Sequence, residues 1–140
     1  MLSREKIQEA LMKWNKAWDE HDLNGVMELF HEDIYFENWT GGWVQGKAAL
    51  EQAWKPWFDH HGGFLFAEED TFIDVANQKV LYQWQLDWPS GEKGYEGKKE
   101  LRRGLDILHF REGKIIRKLT YCKTTIEIEG KRTRLLAEKP

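Results

Sequence analysis

GLDILHFREGKI (104–115) is the stretch on which the fold turns. Two runs rich in β-formers meet at Arg111-Glu112-Gly113, the composition of a short turn, so it reads as the centre of an antiparallel hairpin. The arms extend upstream through KKELRR (98–103) and downstream through KIIRKLTYCKTTIEI (114–128). Asp106 breaks the logic of the first arm. It sits between Leu105 and Ile107 with no cation in the run, and burying an unpaired carboxylate costs several kcal/mol unless it takes up a proton. Strand alternation puts Asp106 on one face with Gly104, Leu108 and Phe110, and Leu101, Leu105 and Ile107 on the other.

Working outward, a second pair of strand-like runs precedes this hairpin. FLFAEEDTFIDV (64–75) and KVLYQWQLDW (79–88) flank Asn77-Gln78, a tight turn, and the glycine-studded loop PSGEKGYEG (89–97) joins the two hairpins. On the strand 79–88, either Tyr82, Trp84, Leu86 and Trp88 or Gln83, Gln85 and Asp87 face inward. Before HHGG (60–63) the period is helical. Ser3 caps a helix striped by Ile7, Leu11, Trp14 and Trp18, and Asp22 caps a shorter one striped by Leu23, Val26, Met27 and Phe30. IYFENW (34–39) is a short strand, and KAALEQAWKPWF (47–58) a third helix with Leu50, Ala53, Trp54 and Trp57 on one side. Pro56 should kink or shorten its last turn. Helix, helix, strand, helix and four long antiparallel strands make an α+β order with the helices gathered on one sheet face. The basic tail, residues 130–140 with Lys131, Arg132 and Arg134, is expected to fray.

The bulk composition narrows the function. The 140 residues suffice for one domain and one core. A net charge of -3 argues against nucleic acid as a partner. No apolar run approaches the roughly 18–20 residues that cross a bilayer, and MLSREKIQEA has no apolar leader segment. A single cysteine, Cys122, fits a reducing cytoplasm. Eight Trp, seven Phe and four Tyr either fill a core or line a cavity for an apolar ligand.

The order of elements over about residues 5–125 resembles the cone fold of the nuclear transport factor 2-like superfamily, and within it the SnoaL-like group. WNKAWDEHDLNGVMELFHEDIYFEN (14–38) is similar to the helix–helix–strand opening of these proteins. Gly46 precedes the third helix as it does there, and GLDILHFREGKI followed by Tyr121 matches their closing strands. The resemblance implies a single SnoaL-like domain over 1–140. Its curved antiparallel sheet wraps around three N-terminal helices and a deep pocket, with the Asp106 face looking into the cone. Members include isomerases, cyclases, hydrolases, dehydratases and non-catalytic binding or dimerisation modules, so the site must be argued on its own.

An apolar pocket with no partner charge favours the protonated form of Asp106, which then donates a hydrogen bond or a proton near neutral pH. The competing reading is a structural Asp bonded to a backbone amide or to the Arg102–Arg103 region. Two familiar mechanisms of the group fail on residue identity. In FENWTG (36–41) the isomerase base position is held by Asn38, which takes no proton at neutral pH. The enolate-binding tyrosine corresponds to Trp14, a far poorer acid. The epoxide hydrolases match at Asn38 and Asp106, but their arginine falls on Gly104 and their second Asp on Thr120.

Asn38, Trp14, Trp18, Trp39, Trp43, Trp54, Trp57, Phe110 and Thr120 are therefore expected around the ligand, with Asp106 as the catalytic candidate. His60 and His61 read as a solvated pair, His21 and His31 as surface or capping residues, and Cys122 as inert. His109 alternates away from Asp106, and Glu37 away from Asn38. No cofactor and no metal is expected. The reading is a domain that binds a small apolar molecule, aromatic or polycyclic, either as an acid–base isomerase, cyclase or dehydratase or as a carrier, sensor or dimerisation module. Its outer apolar stripe is expected to pair two copies through the convex sheet face.

Overall fold

In the computed structural model, residues 1–135 are described. Helix α1 (Arg4–Asp19) starts where the Ser3 hydroxyl accepts the Lys6 amide at 3.2 Å, and it buries Ile7, Leu11, Trp14 and Trp18. Helix α2 (Leu23–Glu28) starts where the Asp22 carboxylate accepts the Gly25 amide at 3.1 Å. Phe30, expected on that helix, instead opens strand β1 (Phe30–Glu37) but stays buried. A three-residue edge strand, β2 (Trp43–Gln45), leads to α3 (Lys47–Asp59). Pro56 does not shorten α3, because the turn beyond it closes with the His60 amide on the Pro56 carbonyl at 3.1 Å. No helix among the described residues is long and apolar enough to cross a membrane.

The remaining elements are β3 (Leu65–Asp74), β4 (Lys79–Pro89), β5 (Lys99–Arg111), β6 (Lys114–Cys122), β7 (Thr125–Ile128) and β8 (Lys131–Arg134). The sheet runs β2-β1-β6-β5-β4-β3 and curls as a half-barrel over the helices. The sheet is mixed, not wholly antiparallel. Strand β1 lies parallel to β6, with Phe36 opposite Lys118, because α3 and four strands intervene and no hairpin dictates the direction. The long last strand is also interrupted. The register steps from Gly104 opposite Cys122 to Leu101 opposite Glu127, so Lys123 and Thr124 bulge out and β7 resumes against the start of β5. Lys131–Arg134, expected to fray, pair with β7, whose Ile126 and Ile128 are buried. Residues 136–140 lie outside the described residues.

Burial settles the orientation of β4: Val80, Tyr82, Trp84 and Leu86 face inward. On β5 the buried positions are Glu100, Arg102, Asp106, Leu108 and Phe110. Gly104 stands opposite Trp84 in the register. A Cβ there would meet the Tyr121 carbonyl oxygen, and the Trp84 ring carbon Cη2 at 2.6 Å. The absence of a side chain lets the indole approach the strand closely. Gly104→Ala is expected to cost about 1–3 kcal/mol by overpacking, since a backbone carbonyl cannot step aside. Urea unfolding of the two proteins checks it.

Candidate active site

Between the helices and the inner sheet face lies a cavity of about 200 Å³. Seven of the eight tryptophans line it, Trp14 and Trp18 from α1, Trp54 and Trp57 from α3, Trp39 after β1, and Trp84 and Trp88 from β4. They form a contiguous wall, with Trp18 centred 5.3 Å from Trp54 and 5.7 Å from Trp57. The Trp14 indole donates to the Val26 carbonyl at 3.1 Å. Its N–H is thereby committed to joining α1 and α2, and the ring offers a ligand only its apolar surface.

The polar end is built on β5 and β6. Asp106 stands directly opposite Thr120, and Lys118 is the diagonal neighbour on the same face. Lys118 Nζ donates to Asp106 Oδ1 at 3.0 Å and to Thr120 Oγ1 at 2.8 Å, and Thr120 Oγ1 donates to Asp106 Oδ1 at 2.7 Å. The expected lone carboxylate is thus half of a buried ion pair. Its cation comes from the next strand and cannot be seen within the run 104–110. Two of the three contacts converge on Oδ1, and Oδ2 has no protein partner among the described residues. The ammonium also lies 4.9 Å from the Phe36 ring centre and 5.8 Å from that of Trp54.

Tyr82, opposite Asp106 in the β4–β5 register, adds a phenol to the cavity wall. Burial, then the charges of Glu68, Asp106 and Asp19, push its pKa up, so the hydroxyl stays protonated at neutral pH. Asn38 also lines the cavity, and its side-chain oxygen accepts the Trp39 amide at 2.8 Å. That leaves its NH₂ as the group for a ligand.

A second buried ion pair stands on the far side of Trp84. Arg102, 2% exposed, donates to Glu100, which is 0% exposed, and to Glu92 Oε1 at 3.1 Å. The guanidinium lies 4.6 Å from the Trp39 ring centre and 5.5 Å from that of Trp88, so it backs the cavity wall without entering it.

Two expected ligand residues lie elsewhere. Trp43 is 64% exposed and stacks on Tyr35 at 6.1 Å, because it sits on the short edge strand outside the cone. Phe110 is buried in the hydrophobic core and does not line the cavity. Lys118 has no place in the site as read from the sequence, whereas Tyr82, Trp84 and Trp88 belong to one of the two alternatives left open there for the strand 79–88. Lys118 shares its face with Thr120, which was expected there, and that alternation is the signal that could have found it. His21 is half-buried just past the C-cap of α1, with its Nε2 2.6 Å from the Phe64 carbonyl and its ring stacked on His61 at 3.8 Å. His31 Nδ1 accepts the Asp33 amide at 3.0 Å. His109 is on the outer face, where burial holds its pKa down, helped by Lys79 and Arg117. Burial pushes the Cys122 thiol up against the opposing pull of Arg102.

The sequence profile of the SnoaL-like domain matches residues 11–118. The chain belongs to this family. No curated protein matches it. Among solved structures, the epoxide hydrolase/cyclase-like enzyme SalBIII superposes with a TM-score of 0.76 at 15% identity, over 91% of this chain and 99% of that one. TerC, co-crystallised with polyporic acid, gives 0.67 at 18% identity, over 85% and 92%. An NTF2-like protein of unknown function from Mesorhizobium loti gives 0.69 at 23% identity, over 88% and 96%. At these identities the likeness establishes the cone fold and not the chemistry. A carboxylate oxygen, an ammonium and two hydroxyls surround one end of a box of indoles, an acid–base pair fixed side by side.

Proposed function

We propose that this SnoaL-like domain binds a small, largely apolar aromatic molecule and transfers a proton on it, with Asp106 as the base. The observation that carries the reading is the Asp106–Lys118 pair at the polar end of a cavity walled by seven tryptophans. For a ligand ketone, Asp106 takes the proton from the carbon beside the carbonyl. The C–H electron pair becomes a C=C bond, and the carbonyl oxygen becomes an enolate beside the Lys118 ammonium. Return of the proton to another carbon completes an isomerisation or sets up ring closure. That SalBIII is described as an epoxide hydrolase/cyclase-like enzyme and that TerC was crystallised with polyporic acid both support a ligand of this kind. A second reading, carriage without turnover, is supported by the two contacts that already engage Asp106 Oδ1.

One probe separates them. 2-Tetralone, a bicyclic ketone with acidic α-protons, is expected to quench tryptophan fluorescence and to raise the melting temperature by mass action. Proton NMR in D₂O should then show its α-protons exchanging faster with the wild type than with Asp106→Asn. Quenching without exchange leaves a carrier. No quenching and no thermal shift by this or related aromatic ketones removes both readings.

We propose further that two copies pair through the convex sheet face. Leu101, Leu105 and Ile107 are only half-buried there, and Phe72 and Tyr121 are exposed. An apolar outer stripe of this kind suits a self-complementary two-fold contact. Light scattering at micromolar protein is expected to give twice the chain mass, and a monomer mass would exclude the pairing. In this reading the protein works in the reducing cytoplasm, where its single half-buried thiol, Cys122, needs no disulfide partner.

A further inference from the structure

We infer that Lys118 sets the charge selectivity of the cavity, because its ammonium fills from within a cation site made of Phe36, Trp54 and Asp106, leaving the cavity to neutral ligands. The inference deepens the binding function proposed above and rests on the same cavity. Aromatic faces attract cations placed within about 6 Å of the ring centre, and a box of indoles beside a carboxylate is the composition of a receptor for organic ammonium ions. Here that position is taken. The Lys118 ammonium is 4.9 Å from the Phe36 ring centre, 5.8 Å from that of Trp54 and 3.0 Å from Asp106 Oδ1. An incoming organic cation would meet a fixed like charge where it would otherwise bind.

An anion fares no better. Asp106 and Asp19 both line the cavity, and Lys118, the one cation lining it among the described residues, is already paired. Arg102 behind the wall is matched by Glu100 and Glu92, so no uncompensated positive charge faces a ligand among the described residues. A neutral molecule meets Asp106 Oδ2, the Tyr82 hydroxyl and the Asn38 amide as hydrogen-bond partners, and indoles elsewhere. Size narrows the class further. A cavity of about 150 Å³ accepts benzene, so the 200 Å³ found here suits one ring or two fused rings bearing a carbonyl or hydroxyl.

Isothermal titration calorimetry with three probes tests the inference: 2-naphthol (neutral), 2-naphthoate (anionic) and phenyltrimethylammonium (cationic). The wild type is expected to bind 2-naphthol at least about tenfold more tightly than either ion. Lys118→Gln vacates the cage and is expected to gain about tenfold or more for phenyltrimethylammonium. Adding Asp106→Asn should remove that gain. Wild type binding the ammonium probe or 2-naphthoate as well as 2-naphthol, or a Lys118→Gln protein with no gain, overturns the inference. Should Lys118→Gln fail to fold, the three-probe ranking on the wild type decides alone. If instead 2-naphthol fails to bind while the Lys118→Gln gain appears, the proposed ligand class falls and the role of Lys118 stands.

Discussion

Asp106→Asn is expected to destabilise the domain by about 3–5 kcal/mol, the usual cost of removing one member of a buried ion pair. The change keeps the side chain's size but leaves the Lys118 ammonium, whose side chain is 8% exposed, without its anion. Read from the strand alone, the same substitution should be neutral or stabilising, because it would remove a lone charge from a poor solvent. The sign of the effect therefore reports on the pairing itself. Urea unfolding of Asp106→Asn, Lys118→Met and the double variant completes the test. The double variant should recover much of the loss, since a pair replaced whole strands nothing. A small effect of Asp106→Asn, or strict additivity of the two, would mean that the contact contributes nothing.

The second large effect is expected at Arg102→Met, again about 3–5 kcal/mol. Glu100 is 0% exposed, and its only cation partner among the described residues is Arg102. Methionine keeps much of the apolar stem but removes the guanidinium that lies over Trp39 and Trp88 and holds Glu92 in the loop before β5. Glu100→Gln in the same chain should restore part of the loss. Chemical unfolding of the single and double variants measures both, and an Arg102→Met protein as stable as the wild type would show the pair to be dispensable.

The element order, the two hairpins and the inner face of β5 were legible because each rests on local periodicity and turn composition. The cavity-lining role of Trp18, Trp54 and Trp57 followed from helical stripes aimed at one core. What escaped depends on which strands become neighbours. Alternation puts Lys118 on the Thr120 face of KIIRKLTYC (114–122), but its partner Asp106 is identified only when β6 is set beside β5. The parallel pairing of β1 with β6 has no local signal, since no turn joins them. Trp43 and Trp39 are four residues apart in a glycine-rich segment, and only the edge position of β2 sends one outward and the other into the wall. The Glu100–Arg102 pair was within reach, for both alternate with Asp106 on the same strand.

That shared strand has a consequence for motion. Strand β5 is paired to β4 along one edge and to β6 and then β7 along the other, so it has no frayed margin. Sub-global openings begin at weakly held edges such as β2 and β8, and a strand hydrogen-bonded on both sides opens only when the domain as a whole lets go. Both buried ion pairs are anchored on that last-to-open strand. The backbone carrying these charged groups is therefore expected to stay closed between one ligand and the next, so that their field is already in place when a ligand arrives.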